Sequence, residues 1–328
     1  MSDTALEKLG LIKRYSNYFT LENIGVPIAI IVIAIFFGSI NPVFFSFHNL
    51  MNVGRQIAFI GLVAWGQTMI IISGGIDLSV GKMTALISVF LATIITYFSS
   101  STFGVVVGIL VSLLIGIGVG ILKGIIIGVF NIPPFIATLG FYSIFAGGAL
   151  TFTSGTTIFG LESELFKWIG NGKLLGIPVS LLFMFIFLYI THVIFKKTKL
   201  GLFTYSIGGN ERATKWAGIN VLKYKILIYT YSSFLVAIAA ILMTSRVNSG
   251  QPLLGTGLEL QSIAAVCIGG TSLFGGIGNV IGTLYGVILI GILNNGLNIL
   301  GVSSFIQEMI IGLTILVAVF ISVLKKRD

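Results

Sequence analysis

The sequence predicts an all-α, polytopic membrane protein with about ten transmembrane helices, and its composition and charge distribution carry that prediction. Apolar residues make up 56% of the 328 residues, and charged residues make up only 9%. A soluble domain carries about 25% charged residues. The mean hydropathy is +1.08. Most of the chain is therefore suited to lipid.

Long charge-free runs place the helices. About 20 residues, each rising about 1.5 Å, cross a hydrocarbon core of ~30 Å, so runs of this length indicate membrane spans. The runs 83–122 and 260–307 are long enough for two spans each. A long polar segment precedes the first run and 41–45 (NPVFF) follows it, so we expect an anchor rather than a cleaved signal. The predicted spans are 25–40, 55–73, 80–98, 103–122, 134–153, 178–195, 226–245, 258–270, 279–300 and 303–324.

The lysines and arginines predict the orientation. Ten spans place both termini on one side, and if that side is the cytoplasm, 15 of the 19 basic residues lie inside, with Lys82 and Lys123 among them. The positive-inside rule therefore predicts cytoplasmic termini, and it explains the net charge of +9 without nucleic acid. The expected parts are a cytoplasmic segment 1–24, one membrane domain 25–324 and a tail 325–328. Its largest outer loop is about 154–177, and its largest inner loop is about 196–225.

A stripe of small residues in the fourth span predicts close helix packing. Small residues let helix backbones approach each other in lipid. Four residues turn about 400° on an α-helix, so the stripe spirals and should touch more than one neighbour. The stripe consists of Gly104, Gly108, Ser112, Gly116, Gly120, Gly124 and Gly128.

Two similar glycine-rich segments predict breaks between helices. The segment 74–81 (GGIDLSVG) matches 269–276 (GGTSLFGG) at an offset of 195, and both follow spans of the same predicted direction. The match indicates a parallel internal repeat, with chance similarity as the alternative. Irregular backbone at membrane depth needs cover from protein or water. The candidate break or gate residues are Gly74, Gly75, Asp77, Gly81, Gly269, Gly270 and Gly276.

Asp77 stands between two long uncharged runs. We expect its carboxylate to cap the following helix, with substrate contact as the alternative. Lys82, one turn later, is the expected charge neighbour.

Polar side chains within the later spans are candidates for a solute path. Glu259 and Glu308 lie near span ends, where a carboxylate is either functional or simply at the interface. Asn294 and Asn298 share a helix face. Amides donate and accept hydrogen bonds, which suits a neutral hydroxylated solute, whereas bonding between helices is the alternative. The candidate path residues are Asn294, Asn295, Asn298 and Glu308.

The sequence carries no signal of catalysis or of metal binding. It contains no G-x-x-x-x-G-K-[ST] phosphate loop. His48 and His192 are its two histidines, and the single Cys267 excludes disulfide frameworks and thiolate metal clusters. We therefore expect no catalytic residue, no metal and no cofactor in this chain.

The inner loop contains a candidate docking segment. Asn210 is a favoured N-cap and Glu211 suits the first turn of a helix. The short helix that follows would expose Trp216 and Ile219, which indicates a docking site for a partner; a helix lying on lipid is the alternative. The candidate docking residues are Gly209, Asn210, Glu211, Ala213, Trp216, Gly218 and Ile219.

Six segments resemble one family. The segment 208–220 (GGNERATKWAGIN) resembles the coupling segment in permease subunits of bacterial ABC importers for ribose and related sugars. One departure is that the common Glu-Ala-Ala reads Glu211-Arg212-Ala213, with Gly218 one position later than usual. Five more segments are similar in order, from about residue 41 onward: 73–81, 133–140, 251–261, 268–276 and 293–304.

The resemblance implies a non-enzymatic permease subunit of an importer in the bacterial cytoplasmic membrane, with ribose as solute. It also implies a second permease copy, a cytosolic ATPase with tandem nucleotide-binding domains that binds ATP and Mg, and an external sugar-binding protein. A sister permease instead of an identical copy stays open, as do xylose, galactose or a sugar-like signal such as an autoinducer. An ion-coupled sugar symporter and a membrane enzyme are the alternatives from other classes.

Overall fold

A computed structural model of the chain describes residues 21–325, which are mostly helical. Most of the predicted segment 1–24 and of the tail 325–328 lies outside the described residues. The described part also contains a 3₁₀ helix, Pro42–Phe45, and an antiparallel hairpin of β1, Lys173–Leu174, and β2, Ile177–Pro178. Its α-helices are α1 Leu21–Ile40, α2 Phe47–Ile72, α3 Val80–Tyr97, α4 Thr102–Val129, α5 Pro134–Thr153, α6 Glu164–Asn171, α7 Val179–Lys197, α8 Lys199–Gly209, α9 Glu211–Trp216, α10 Val221–Val247, α11 Leu258–Ile268, α12 Val280–Ile299 and α13 Ser304–Lys325.

A helix occupies each of the ten predicted span positions. Seven of them, α2, α3, α4, α5, α7, α10 and α12, are long and apolar enough to cross a membrane. Three shorter apolar segments, Gly25–Ile40, Leu258–Ile268 and Ser304–Val317, correspond to the remaining predicted spans. The prediction of a helical, multi-pass membrane protein is therefore confirmed. The number of ten crossings and the side of each terminus stay predictions.

Side-chain caps and one proline mark where several helices begin. Ser101 accepts a hydrogen bond from the N–H of Gly104 (3.1 Å), as an N-cap of α4. Asn220 and Asn279 cap α10 and α12 in the same way. Pro134 is the first residue of α5, where a missing N–H breaks no helical hydrogen bond.

The small-residue stripe of α4 brings this helix against two others. A Cβ at Gly120 would collide with the Cα of Thr230, and one at Gly124 would collide with the Cα of Ile226, both on α10. Gly104 and Gly108 of the stripe face α3 instead. The stripe therefore touches two neighbours, as its spiral predicts, and it lets the backbones of α4 and α10 come into contact.

Two helices lie where the sequence predicts loops. α6 and the hairpin occupy the predicted outer loop 154–177, and α8 occupies the start of the predicted inner loop 196–225. Phe166 of α6 is fully buried, and Ser245 of α10 donates a hydrogen bond to its carbonyl. At 8 and 11 residues, both helices are too short to produce a long hydrophobic run.

α2 and α11 end in the same backbone motif. Gly74 and Gly270 follow these helices with φ of +85° and +84°, a conformation that glycine adopts freely. The next residue, Gly75 or Thr271, donates a hydrogen bond of 3.0 or 3.2 Å to the carbonyl five positions back, as in a Schellman motif. The two breaks therefore correspond at an offset of 196, one residue more than predicted, because Gly269 is the C-cap of α11 as Ser73 is of α2. A repeat of the whole halves stays a prediction.

Candidate functional site

A cavity of about 530 Å³ opens at the end of the bundle away from the two helix breaks. Volumes of ~300–1,000 Å³ are typical of small-molecule sites. α2, α10, α11, α12, α13 and the segment 254–256 form its walls. The polar residues of the lining are Gln56, Arg246, Thr256, Gln261, Asn294, Asn298, Ser304, Gln307 and Glu308.

Amide side chains dominate the polar lining. Asn294 Nδ2 donates to Gln261 Oε1 (3.4 Å), and Gln307 Nε2 donates to Asn298 Oδ1 (2.9 Å). Among the described residues, the Oδ1 atom of Asn294 is buried without a hydrogen-bond partner, and leaving a buried oxygen unpaired generally costs about 1–3 kcal/mol. A hydroxyl group that reached this amide would supply the missing donor.

Two opposite charges complete the lining. Arg246, at the end of α10, lies over the ring of Phe59 with 5.6 Å between the guanidinium carbon and the ring centroid. Glu308 of α13 is exposed. One cation and one anion leave this lining close to neutral, which suits an uncharged solute.

The predicted path residues divide into two places. Asn294, Asn298 and Glu308 line the cavity, whereas Asn295 does not. Asn295 exchanges two hydrogen bonds, of 2.8 and 2.9 Å, with the amide of Asn49 and so joins α12 to α2. Neighbouring residues of a helix point about 100° apart, so Asn295 faces away from the side that Asn294 occupies.

Asp77 lies between α2, α3 and α4, in contact with a partner that the sequence analysis did not name. Lys123 Nζ is 2.8 Å from Asp77 Oδ2, and both side chains are fully buried. Asp77 Oδ1 accepts hydrogen bonds from the N–H (2.8 Å) and the hydroxyl (2.6 Å) of Ser79, and Gln67 donates to the Asp77 carbonyl. The carboxylate therefore holds the turn before α3 instead of capping N–H groups inside that helix.

Lys82 is not the charge neighbour of Asp77, so that prediction is wrong. Its Nζ donates to Thr256 Oγ1 at the cavity edge (2.9 Å). Gly81 beside it lies inside α3, where a Cβ would collide with a carboxylate oxygen of Glu259. Gly81 thus allows α3 and α11 to approach each other.

Lys82 and Lys123 are also not loop residues. Lys82 lies in the first turn of α3 and Lys123 lies within α4, and both side chains are buried. Charges inside a bundle do not report on the cytoplasmic loops. The predicted orientation therefore rests on the other basic residues.

The predicted docking helix is present as α9. Asn210 accepts a hydrogen bond from the N–H of Ala213 (2.9 Å), so its predicted N-cap role is confirmed. Gly218 follows the helix with φ of +80°. Trp216 is 86% exposed, whereas Ile219 is half-buried.

Glu211 anchors this helix to the bundle. Lys225 Nζ of α10 lies 2.7 Å from Glu211 Oε1. Thr214 is buried, and its hydroxyl donates to the carbonyl of Ser206 on α8 (2.8 Å). α9 is therefore held against both α8 and α10 while its tryptophan projects outward.

The predicted break glycines of the two halves meet. The N–H of Gly276 donates to the carbonyl of Ile72, the last residue of α2 (2.8 Å). Gly269 lies against Gly282 of α12, where a Cβ would collide with backbone. These contacts cover part of each break, whereas Gly74 and Gly270 are exposed.

Comparison with known proteins decides the family. Residues 49–319 match the family described as the permease component of the branched-chain amino acid transport system. The chain belongs to this permease family. It is a multi-pass protein of the cytoplasmic membrane.

This permease is similar along most of its length to several bacterial permease proteins. The ribose import permease protein RbsC of Bacillus subtilis (strain 168) is 43% identical over 302 residues, 92% of this chain and 92% of that protein. The probable ABC transporter permease protein YphD of Escherichia coli (strain K12) is 44% identical over 304 residues, 93% of this chain and 90% of that protein. The L-arabinose transport system permease protein AraH of Escherichia coli (strain K12) is 36% identical over 286 residues, 87% of this chain and 86% of that protein. No solved structure matches the permease.

Sequence reasoning missed Lys123, Arg246 and Gln261. The signal for Lys123 was available, because a lone lysine between long uncharged runs needs a buried partner, and Asp77 is the nearest such acid. Arg246 and Gln261 lie near span ends, where polar residues are ordinary. Only the packing of α10 and α11 against α2 shows that they face a common cavity.

Proposed function

We propose that this permease is the membrane subunit of an ATP-driven importer and that its solute is a monosaccharide, ribose. The similarity to a ribose import permease over 92% of each chain carries the proposal. In this proposal the chain crosses the membrane ten times, with both termini in the cytosol. α9 then lies at the cytosolic face, and the cavity lies in the external half.

The chemistry of the cavity supports a sugar as the solute. Hydroxyls are the main polar groups of a simple sugar, and each of them donates and accepts hydrogen bonds. The amides of Gln261, Asn294 and Asn298 offer both functions without a charge. Apolar residues such as Phe59 and Leu258 complete the walls and exclude water from part of the surface.

The outward tryptophan of α9 supports an ATPase partner. A short helix that is tied to the bundle by Glu211 and Thr214 and exposes Trp216 offers a rigid contact for another protein. ATP and Mg bind to that ATPase in this proposal. Closure of the ATPase on ATP displaces α9, and the permease responds by favouring a different opening of its cavity.

Two further partners complete the proposed importer. A second permease copy, identical or a sister chain, closes the solute path. An external binding protein delivers the sugar and provides most of its affinity. The cavity then needs only to accept the sugar and release it.

Uptake by proteoliposomes tests the proposal. The permease is reconstituted with its ATPase, ATP is trapped on the ATPase side, and the binding protein with labelled ribose is added on the other side. We expect ribose to accumulate with ATP and not with ADP, and the permease without ATPase to accumulate none.

Other outcomes of this assay would replace the proposal. Accumulation that follows an imposed proton gradient without ATP would show a symporter. Accumulation of leucine but of no sugar would show an amino acid importer, in line with the family description. Accumulation of arabinose, xylose or galactose in preference to ribose would keep the importer and change its substrate.

A further inference from the structure

Three glycine-rich segments from distant parts of the sequence meet at one point. The hydrogen bond from the N–H of Gly276 to the carbonyl of Ile72 joins the second helix break to the end of α2. Gly208, near the end of α8, lies directly against this bond. A Cβ at Gly208 would collide with the Ile72 oxygen and would lie 2.7 Å from the Gly276 nitrogen. Ile72, Gly208, Gly275 and Gly276 form what we term the glycine junction.

The glycine junction leaves no room for side chains between its segments. A Cβ at Gly275 would lie 2.8 Å from the carbonyl oxygen of Gly208 and 3.1 Å from the Cα of Gly74. Gly275 and Gly276 have φ of +84° and +74°, which glycine adopts without strain. Because closely packed groups resist compression, backbones in direct contact pass a displacement on to each other.

Tyr205 makes a second connection between α8 and the same break. Its hydroxyl donates a 2.7 Å hydrogen bond to the carbonyl of Gly278. Burial raises the pKa of Tyr205 above its usual value of 10.0, so the hydroxyl stays protonated at neutral pH and remains a donor.

α8 leads directly into the docking helix α9, with one residue between them. α8 ends at Gly209, and Asn210 directly after it caps α9. The Thr214 hydroxyl oxygen lies 2.8 Å from the carbonyl oxygens of both Asn210 and Ser206, so its single proton is shared between them and ties α9 to α8. A force on α9 therefore reaches Gly208 through a short, hydrogen-bonded path.

We propose that Gly208 and Tyr205 are positioning residues through which α9 moves both helix breaks together. This inference rests on the proposed function, since it requires an ATPase that docks on α9. Movement of α8 displaces the Ile72 carbonyl and Gly276 at the same time. The breaks after α2 and after α11 thus respond together to the movement of α8. Sugar transport is thereby coupled to ATP hydrolysis.

The substitution Gly208→Ala tests this assignment in the complete reconstituted importer. The measurement is the number of sugar molecules transported per ATP hydrolysed, together with ATPase binding. We expect the ATPase to stay bound and active, and this ratio to fall about 5-fold or more, as for the loss of a typical coupling free energy. A purely structural defect would lower transport and hydrolysis in proportion. An unchanged ratio with both rates reduced would therefore overturn the assignment.

Two more variants secure the test. Tyr205→Phe removes one hydroxyl without adding volume. We expect the ratio of sugar transported to ATP hydrolysed to fall in this variant too. If Gly208→Ala does not assemble with the ATPase, Tyr205→Phe alone tests the assignment. Gly147→Ala is the matched control, because Gly147 is exposed on α5 and a Cβ there meets no atom of the described residues within 4 Å. A Tyr205→Phe ratio equal to that of Gly147→Ala would overturn the role of Tyr205. A wild-type importer that moves no sugar would instead overturn the proposed function.

Discussion

Asp77 and Lys123 lie 46 residues apart in the sequence and share one fully buried contact. Removing two charges from water costs several kcal/mol for each, and only a close pair with further hydrogen bonds offsets this cost. Ser79 supplies those hydrogen bonds to the carboxylate. We expect the pair to fix the start of α3 relative to α4, with little net gain in stability.

Lys123→Met alone should therefore strongly destabilise the permease, whereas Lys123→Met combined with Asp77→Asn should destabilise it only slightly. Removing only the lysine leaves a buried carboxylate unpaired and should lower the free energy of unfolding by about 3–5 kcal/mol. Asp77→Asn in the same chain removes that charge and should restore most of the loss. Chemical unfolding in detergent measures both variants.

Lys167→Met is the control for this pair. It breaks the ion pair between Lys167 and Glu164, whose side chains are 40% and 88% exposed. Exposed pairs contribute only about 0–1 kcal/mol. If Lys123→Met were as mild as this control, the buried pair would not position α3.

Between elements, the contact of α4 with α10 depends on the absence of side chains. Gly116, Gly120, Gly124 and Gly128 all face α10. In lipid, no hydrophobic effect drives two helices together, so close van der Waals contact between backbones must do so. The same helix α10 carries Arg246 at the cavity and Lys225 beside α9. The packing of α10 on α4 therefore positions both the cavity and the contact with α9.

A bulky residue at Gly124 should disrupt this contact. Gly124→Leu forces its side chain into the backbone of Ile226 and should destabilise the permease by about 1–3 kcal/mol or more. Gly118→Leu is the matched control on the same helix, because within residues 21–325 no atom lies within 4 Å of a Cβ at Gly118. The yield of folded protein in detergent and its unfolding midpoint measure the difference. Equal values for both variants would contradict the packing role of the stripe.

The helices that could be predicted are those whose signal is local. The charge-free runs around α4 and α12 and the four-residue spacing from Gly104 to Gly128 lie within single segments, so the sequence shows them directly. The pairing of Asp77 with Lys123 depends on how α3 packs on α4, which no local pattern contains. α6 and α8 were not predicted for a related reason, because tertiary contacts such as the burial of Phe166 stabilise them.

At the scale of the whole molecule, the cavity and the docking helix lie toward opposite ends of one helical bundle. α2 connects them directly, because Gln56 lines the cavity and Ile72 lies in the glycine junction. α11 does the same from Gln261 to the break before Gly276. A partner that moves one end can therefore change the shape of the other without contacting it.

Trp216→Ala should weaken the docking of the ATPase. An exposed aromatic residue on a rigid helix is a typical hot spot, and its loss should reduce affinity by about 10-fold or more. Binding of the ATPase to the permease in nanodiscs measures this. Trp168→Ala is the control, because Trp168 is half-exposed on α6 at the opposite end. Equal affinity for both variants would favour the alternative that α9 lies on the lipid surface.

At the glycine junction, only an increase in side-chain size can disturb the contacts. All of its touching atoms belong to the main chain, so truncating mutations, the usual probe of an interface, have nothing there to delete. Even alanine, which serves elsewhere as the truncating replacement, adds a methyl group at Gly208 that collides with the Ile72 oxygen. A scan by truncation would therefore miss the place where the two helix breaks touch, because only an added side chain disturbs it.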